Sequence, residues 1–260
     1  VSGESSEVVG FDLENAGVTA ENAGVGQADI SLAKYTLLVA EDETDLRNYL
    51  SGVLQAEFKE VYVMELPNTQ SEGGLRFWRE EIIRFKEFLE EYFQVVITEN
   101  DIRRAIVSQN KRREALKRFY GLMKLEPVPM SGLELGKVIY GSKYQFGQEE
   151  MTKELNELSD RILEEYKKGR QLEKRPRILI PGCPMGEDKN KIVEAIENNG
   201  GIVVGFENCT GAKAVERMVD EDDPDVYGAI ARKYFSIGCA IMTPNNNRIH
   251  LLGEMIDDYH

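Results

Sequence analysis

Arg177-Ile178-Leu179-Ile180-Pro181-Gly182-Cys183-Pro184-Met185-Gly186, followed by Gly200-Gly201-Ile202-Val203-Val204-Gly205-Phe206-Glu207-Asn208-Cys209-Thr210-Gly211-Ala212-Lys213, is the stretch whose reading decides the fold. Arg177 to Ile180 is a short apolar run directly after Pro176, and Ile202 to Phe206 is another. Between them, Lys191 to Glu197 carries a helical pattern that Gly200-Gly201 closes. Strand, helix, strand in this order is a β-α-β unit, which brings its strands together in parallel.

Working towards the N-terminus, Tyr35 to Ala40 and Glu60 to Met64 predict strands flanking a helix-like run, Asp45 to Ala56, with Leu66-Pro67-Asn68 closing the second strand. That is a second β-α-β unit. Between the two units the chain reads as mostly helical. Leu75, Trp78, Ile82, Phe85, Leu89 and Tyr92 recur three or four apart, on one helical face that belongs to a core or a subunit interface. Thr98 with Asp101, and Ser131 with Glu134, are capping-box signals, and the first predicts a helix running to about Lys124, before Pro127 and Pro129. A further amphipathic helix carries Met151, Leu155, Leu158, Ile162 and Tyr166 and ends at Lys168, with Gly169 in the C-cap place. Two β-α-β units with crossover helices predict an α/β fold with parallel sheets covered on both faces. The expected organisation is an irregular segment over 1–34, a first α/β domain with its helical region over 35–170, and a second α/β domain over 171–260. The boundary is placed at 170–176, where Lys and Arg cluster before Pro176.

The 260 residues carry 32 Lys+Arg against 46 Asp+Glu, a formal net charge of −14 and a pI near 4.8. Such a surface repels phosphate backbones and anionic membranes, so neither nucleic acid nor membrane is an expected partner. No stretch approaches the ~20 apolar residues of a membrane span, and Val1 to Glu7 lack a basic segment followed by an apolar one, which makes a cytoplasmic location the expectation. Cys183, Cys209 and Cys239 are an odd number in a large chain and argue against a disulfide scaffold.

Ligands of open parallel sheets gather beyond the carboxyl ends of the strands. Three loops are therefore the candidates, each read as following a strand and each containing one cysteine. The first holds Gly182, Cys183, Pro184 and Gly186, with glycines that allow close backbone approach. The second, Glu207 to Lys213, is polar directly after a buried strand and includes Asn208 and Cys209. The third, Gly238 to Arg248, brings Cys239, Thr243, Asn245, Asn246, Asn247 and Arg248, whose amides and guanidinium could donate to a carboxylate, thioester or phosphate. For each cysteine two readings stand: a small buried hydrophobe, or a metal ligand. For the third loop, Thr243 or an Asn capping a helix from about Arg248 to Asp258, with Arg248 solvated, stands beside the donor reading. Asp220 to Asp225 reads as a solvated turn, and His250 and His260 have no metal-ligand spacing.

At these three loops the chain resembles the 2-hydroxyacyl-CoA dehydratase family, which includes the 2-hydroxyglutaryl-CoA dehydratase D-component and benzoyl-CoA reductase subunits. The residues that carry it are Arg177 to Pro184, Gly200 to Lys213, and Met242-Thr243-Pro244-Asn245-Asn246-Asn247-Arg248, with weaker similarity through Val61 to Asn68 and Ile97-Thr98-Glu99. It covers about residues 60–260. The resemblance implies two Rossmann-like domains around a 4Fe–4S cluster, pairing with a homologous second subunit, an ATP-dependent activator protein that supplies an electron, and loss of water from a 2-hydroxyacyl-CoA through a ketyl radical. It also implies Gly182, Cys183, Pro184, Gly186, Glu207, Asn208, Thr243, Asn245 and Arg248 as substrate-binding candidates, with Cys183, Cys209 and Cys239 as weaker metal candidates.

Two departures favour another reading. Where the family places Thr-Cys-Asp-Gly after a strand like Leu37 to Glu41, this chain has Asp42-Glu43-Thr44-Asp45, and the family's last ligand cysteine would fall beyond His260. The alternative is thus a non-catalytic homologue or an acyl-CoA-binding subunit without the cluster. Opening on Val1 and ending within the family's pattern, the chain also reads as a piece of a longer protein. Residues 35–58 resemble, in addition, the start of a receiver-type signalling domain, although Val61 to Met64 leads into Glu65-Leu66-Pro67 instead of an acceptor Asp.

Overall fold

The computed structural model describes residues 36–41, 44–55, 58–144, 147–182 and 189–259. It divides into two compact units, Val1–Val96 and Ile97–His260. The expected 1–34 segment, and Cys183, Pro184 and Gly186 of the first candidate loop, lie outside the described residues.

In the first unit, β1 (Thr36–Glu41) and β2 (Glu60–Glu65) pair in parallel, Thr36 opposite Glu60 through Glu41 opposite Glu65, joined by α1 (Thr44–Leu54). Helix α2 (Glu72–Phe93) begins at Ser71, whose side chain accepts from the Gly74 N–H at 3.1 Å. Its apolar stripe packs on β2, with the Tyr62 ring 5.1 Å from Phe85 and 4.6 Å from Phe88 between centroids. Among the described residues of α2 the one buried side chain is charged: Glu81 accepts from the Glu65 N–H at 3.1 Å and from Arg84 at 2.5 Å. The carboxylate thereby closes the end of β2 and keeps a buried charge hydrogen-bonded.

The second unit opens with α3 (Glu99–Gly121) under a complete Thr98/Asp101 capping box, continued by a 3-10 turn, Leu122–Lys124. A second box at Ser131/Glu134 starts α4 (Gly132–Gly141), and α5 (Gln148–Lys167) follows. Strands β3 (Arg177–Pro181) and β4 (Ile202–Glu207) pair in parallel around α6 (Lys189–Asn198). Helices α7 (Ala212–Val215), α8 (Val226–Phe235) and α9 (Asn246–Tyr259) complete the unit. All of β4 is buried. It lies in a core that also contains Phe119, Met123, Leu135, Met151, Leu251 and Met255, each large side chain worth roughly 1.5–3 kcal/mol of burial. Arg177, at the start of β3, donates to the carbonyls of Tyr259, Leu125 and Met123, fastening α9 and the 3-10 turn to the strand.

The fold is thus mixed α/β with short parallel strands in two two-stranded sheets among the described residues. The compact units part at Val96/Ile97, within the span 35–170 expected for the first domain. The reason is packing: Leu116 and Phe119 of α3, Leu135 of α4 and Leu155 of α5 share one core with Val203 and Val204 of β4. A second difference concerns the third loop. Cys239 follows α8 and a turn, with no strand before it among the described residues. Among those residues no helix is long and apolar enough to cross a membrane.

Candidate functional site

The paired ends of β3 and β4 set Pro181 opposite Glu207. The next residue, Gly182, has φ +131, a backbone region that side-chain-bearing residues rarely adopt. This turn aims the Gly182 N–H back at the strand end, 3.1 Å from the Glu207 carbonyl and 3.2 Å from its carboxylate Oε2. Glu207 is fully buried. Lys213, buried on α7, places Nζ 3.0 Å from Oε1, and Arg248, in the first turn of α9 with a side chain 31% exposed, places a guanidinium nitrogen 3.4 Å from Oε2. One carboxylate therefore ties together β3, β4, α7 and α9, facing two cations. A buried carboxylate needs such partners, since alone it would cost several kcal/mol.

The polar groups around it are incompletely matched. Glu207 Oε1, although at ion-pair distance from Lys213, lacks an aligned hydrogen-bond donor, and Arg248 Nε and Asn245 Oδ1 are buried without partners. Asn208 is buried, and its Oδ1 accepts from both the backbone and the hydroxyl of Thr210, at 3.0 and 2.6 Å, shaping the second loop. Asn245 uses its amide to donate to the Cys239 carbonyl at 2.5 Å. Gly238 lies so close to the backbone of Arg248 that a Cβ would sit 2.7 Å from its Cα, so the Cys239 loop lies directly against the start of α9. A cavity of about 230 Å³ is lined by Lys213, Gly238, Asn247 and Glu254, among others.

Gly182, Glu207, Asn245 and Arg248 thus come together from the sequence candidates. Thr243 is exposed, as is Cys209, and Cys239 is half-buried. Neither side of the earlier alternative for Arg248 and Asn245 describes the geometry fully: Arg248 is anchored on Glu207, and the Asn245 amide holds the loop.

The sequence from residue 13 to residue 260 matches the family profile described as 2-hydroxyglutaryl-CoA dehydratase, D-component. The chain belongs to that family. A relative from Escherichia coli (strain K12), "Putative dehydratase subunit YjiM", is 45% identical over 224 residues, a match covering 86% of this chain. The matched stretch spans 58% of that relative's length. The family match takes in residues 35–58, the stretch that also resembles a receiver, and reaches further towards the N-terminus than the 60–260 resemblance.

Among the described residues no three His, Cys, Asp or Glu side chains are grouped so as to hold a metal ion, and those residues do not form a ligand set for a 4Fe–4S cluster. Lys213 is the site residue that sequence reasoning left out of its candidates. Lysines are mostly exposed, so its place in the loop gave no reason to bury it; the available signal was the acid at the end of a fully apolar strand, which demands a buried cation nearby.

Proposed function

We propose that this chain is part of a subunit of a 2-hydroxyacyl-CoA dehydratase, a lyase that removes water from a 2-hydroxyacyl-CoA by a ketyl-radical route. The reading includes two Rossmann-like domains in the complete subunit, a homologous second subunit, and an ATP-dependent activator. The reading also includes a 4Fe–4S cluster. Family membership supports the reading, and the observation in the fold that carries it is the Glu207 cluster with its incompletely matched polar groups at the carboxyl ends of β3 and β4. The half-exposed Arg248, held from behind by Glu207, is oriented to meet negative charge developing on a thioester oxygen or carried by the substrate. Glu207 and the Gly182 N–H fix the turn leading into the first candidate loop.

The test is anaerobic purification of the full-length protein with its partner subunit, followed by an iron and sulfide assay and a 2-hydroxyacyl-CoA dehydration assay with the activator. The proposal expects about 4 iron per cluster-bearing chain and release of the 2-enoyl-CoA. The acidic segment at 42–45, in place of Thr-Cys-Asp-Gly, favours a second reading, an acyl-CoA-binding subunit without a cluster. An iron-free protein that binds acyl-CoA and forms no enoyl product would decide for it.

A further inference from the structure

A second cluster of cations lies on α3 and α8, made of residues outside the Glu207 cluster. Arg113 is 8% exposed and Lys233 5% exposed. Both address one aromatic ring: Lys233 Nζ lies 4.0 Å from the centroid of Tyr234, and Arg113 Cζ 6.0 Å from it, with an Arg113 nitrogen donating to the Tyr234 hydroxyl at 3.2 Å. The other Arg113 contact, at 2.9 Å, is to the amide oxygen of Asn110. Arg112 adds a third cation, donating to the Ser142 carbonyl at 3.3 Å while its Nε is buried without a partner. Among the described residues none of the three cations is ion-paired with a carboxylate. The acid drawn towards the cluster, Glu221, is engaged by the Asn110 amide at 2.8 Å.

Two buried cations and a third beside them, with only neutral partners, are costly in a protein whose net charge is −14, where counter-charges abound. Cation–π contacts return less than desolvation takes. Positive charge is left unmatched here: Arg112, Arg113 and Lys233 have no carboxylate partner among the described residues, and Tyr234, 43% exposed, carries the cluster to solvent. We infer that the cation cluster of α3 and α8, Arg112, Arg113 and Lys233 around Tyr234, binds a phosphate-class oxyanion, either free or as the phosphoryl group of a nucleotide or coenzyme. This holds whether or not the protein catalyses dehydration.

The test is calorimetric titration of the full-length protein with sulfate, inorganic phosphate, ADP and coenzyme A, for the wild type, Lys233→Met, Arg112→Gln and the control Lys153→Gln on exposed α5. Sulfate or phosphate should bind with a dissociation constant below about 1 mM. Lys233→Met and Arg112→Gln should each weaken binding at least about tenfold, and Lys153→Gln should not. Equal affinity for phosphate, ADP and coenzyme A assigns the site to the free anion; tighter binding of the larger molecules, sensitive to the same substitutions, assigns it to a phosphorylated ligand. Should a variant fail to fold, the wild type alone still decides. Burial beside Arg113 lowers the Lys233 pKa to about 8, so the affinity for sulfate, doubly charged throughout, should fall between pH 7 and 9. The groups that act on Lys233 are the Arg113 guanidinium and the Tyr234 ring, with Arg112 next to Arg113 on α3. No binding of any of the four, binding indifferent to Lys233 and Arg112, or a flat sulfate profile would overturn the inference.

Discussion

A carboxylate with no exposed surface is the most demanding residue of this chain, and Glu207 meets the demand with Lys213 on one oxygen and with Arg248 and the Gly182 N–H on the other. Removing Lys213 strips one of the carboxylate's oxygens of its counter-charge and leaves only the part-exposed Arg248 as a cation, and breaking a buried pair in this way costs up to about 3–5 kcal/mol. Lys213→Met should therefore destabilise the protein by about that much in urea unfolding. Glu207→Gln combined with Lys213→Met should cost clearly less than the sum of the single changes, because they share one interaction; additive losses would show that the two side chains do not interact. Arg248→Ala should behave differently. Its side chain is half-exposed, so the loss of stability should be small, while acyl-CoA binding or turnover in the complete assembly falls at least about tenfold, ~1.4 kcal/mol. Unaltered binding and turnover would reduce Arg248 to a structural strap. At this scale Glu207 is legible because a polar residue directly after an apolar strand stands out, and Arg248 because it follows three consecutive Asn residues. It did not show Lys213, Lys233 or Arg113, whose burial depends on which helix lies opposite, something no local pattern encodes.

Elements were more legible than residues wherever their signal is local. The Thr98/Asp101 and Ser131/Glu134 boxes form as the three-residue spacing predicts, since each is closed within a single turn. Both β-α-β units were read from short apolar runs between breakers. Helix α8 was missed: it starts from the Asp225 cap and buries small residues, Gly228, Ala229 and Ala231, which give little apolar periodicity. The boundary at 170–176 was inferred from composition, yet the packing of α3 to α5 on β4 is a long-range property. Glycines separate these contributions experimentally. At Gly132, where α4 meets β4, a Cβ would lie 2.5 Å from the Val203 Cβ and 2.6 Å from its carbonyl oxygen, while at Gly121, ending α3, it would meet nothing within 4 Å. Gly132→Ala should cost about 1–3 kcal/mol by forcing the helix off the strand. Gly121→Ala should be neutral or gain up to about 1 kcal/mol. Melting temperatures of the two variants should move apart; a shared shift would mean that α4 does not seat on β4 this closely.

At the scale of the whole molecule, charge is distributed unevenly: a surface excess of acids surrounds an interior that holds Lys213, Lys233 and Arg113. The consequence for pH follows from Lys233. Its pKa is about 8 in the folded protein, against 10.5 for an ordinary lysine, chiefly through desolvation and secondarily through Arg113. Between those values the unfolded chain holds a proton that the folded chain has released, so stability rises with pH across that window. Below pH 8 both states are protonated and the full penalty applies, of order 3 kcal/mol at ~1.4 kcal/mol per unit. Added negative charge at alkaline pH works against this rise in the wild type, so the informative quantity is a difference. In denaturant unfolding without phosphate or sulfate, Lys233→Met should be favoured over the wild type at pH 7, and the gap should close towards pH 10. Repacking by the methionine shifts the gap at every pH equally and leaves its slope intact. Parallel stability curves would mean that Lys233 titrates as an ordinary lysine, its charge met in the folded protein by a negative or hydrogen-bonding partner beyond the Tyr234 ring.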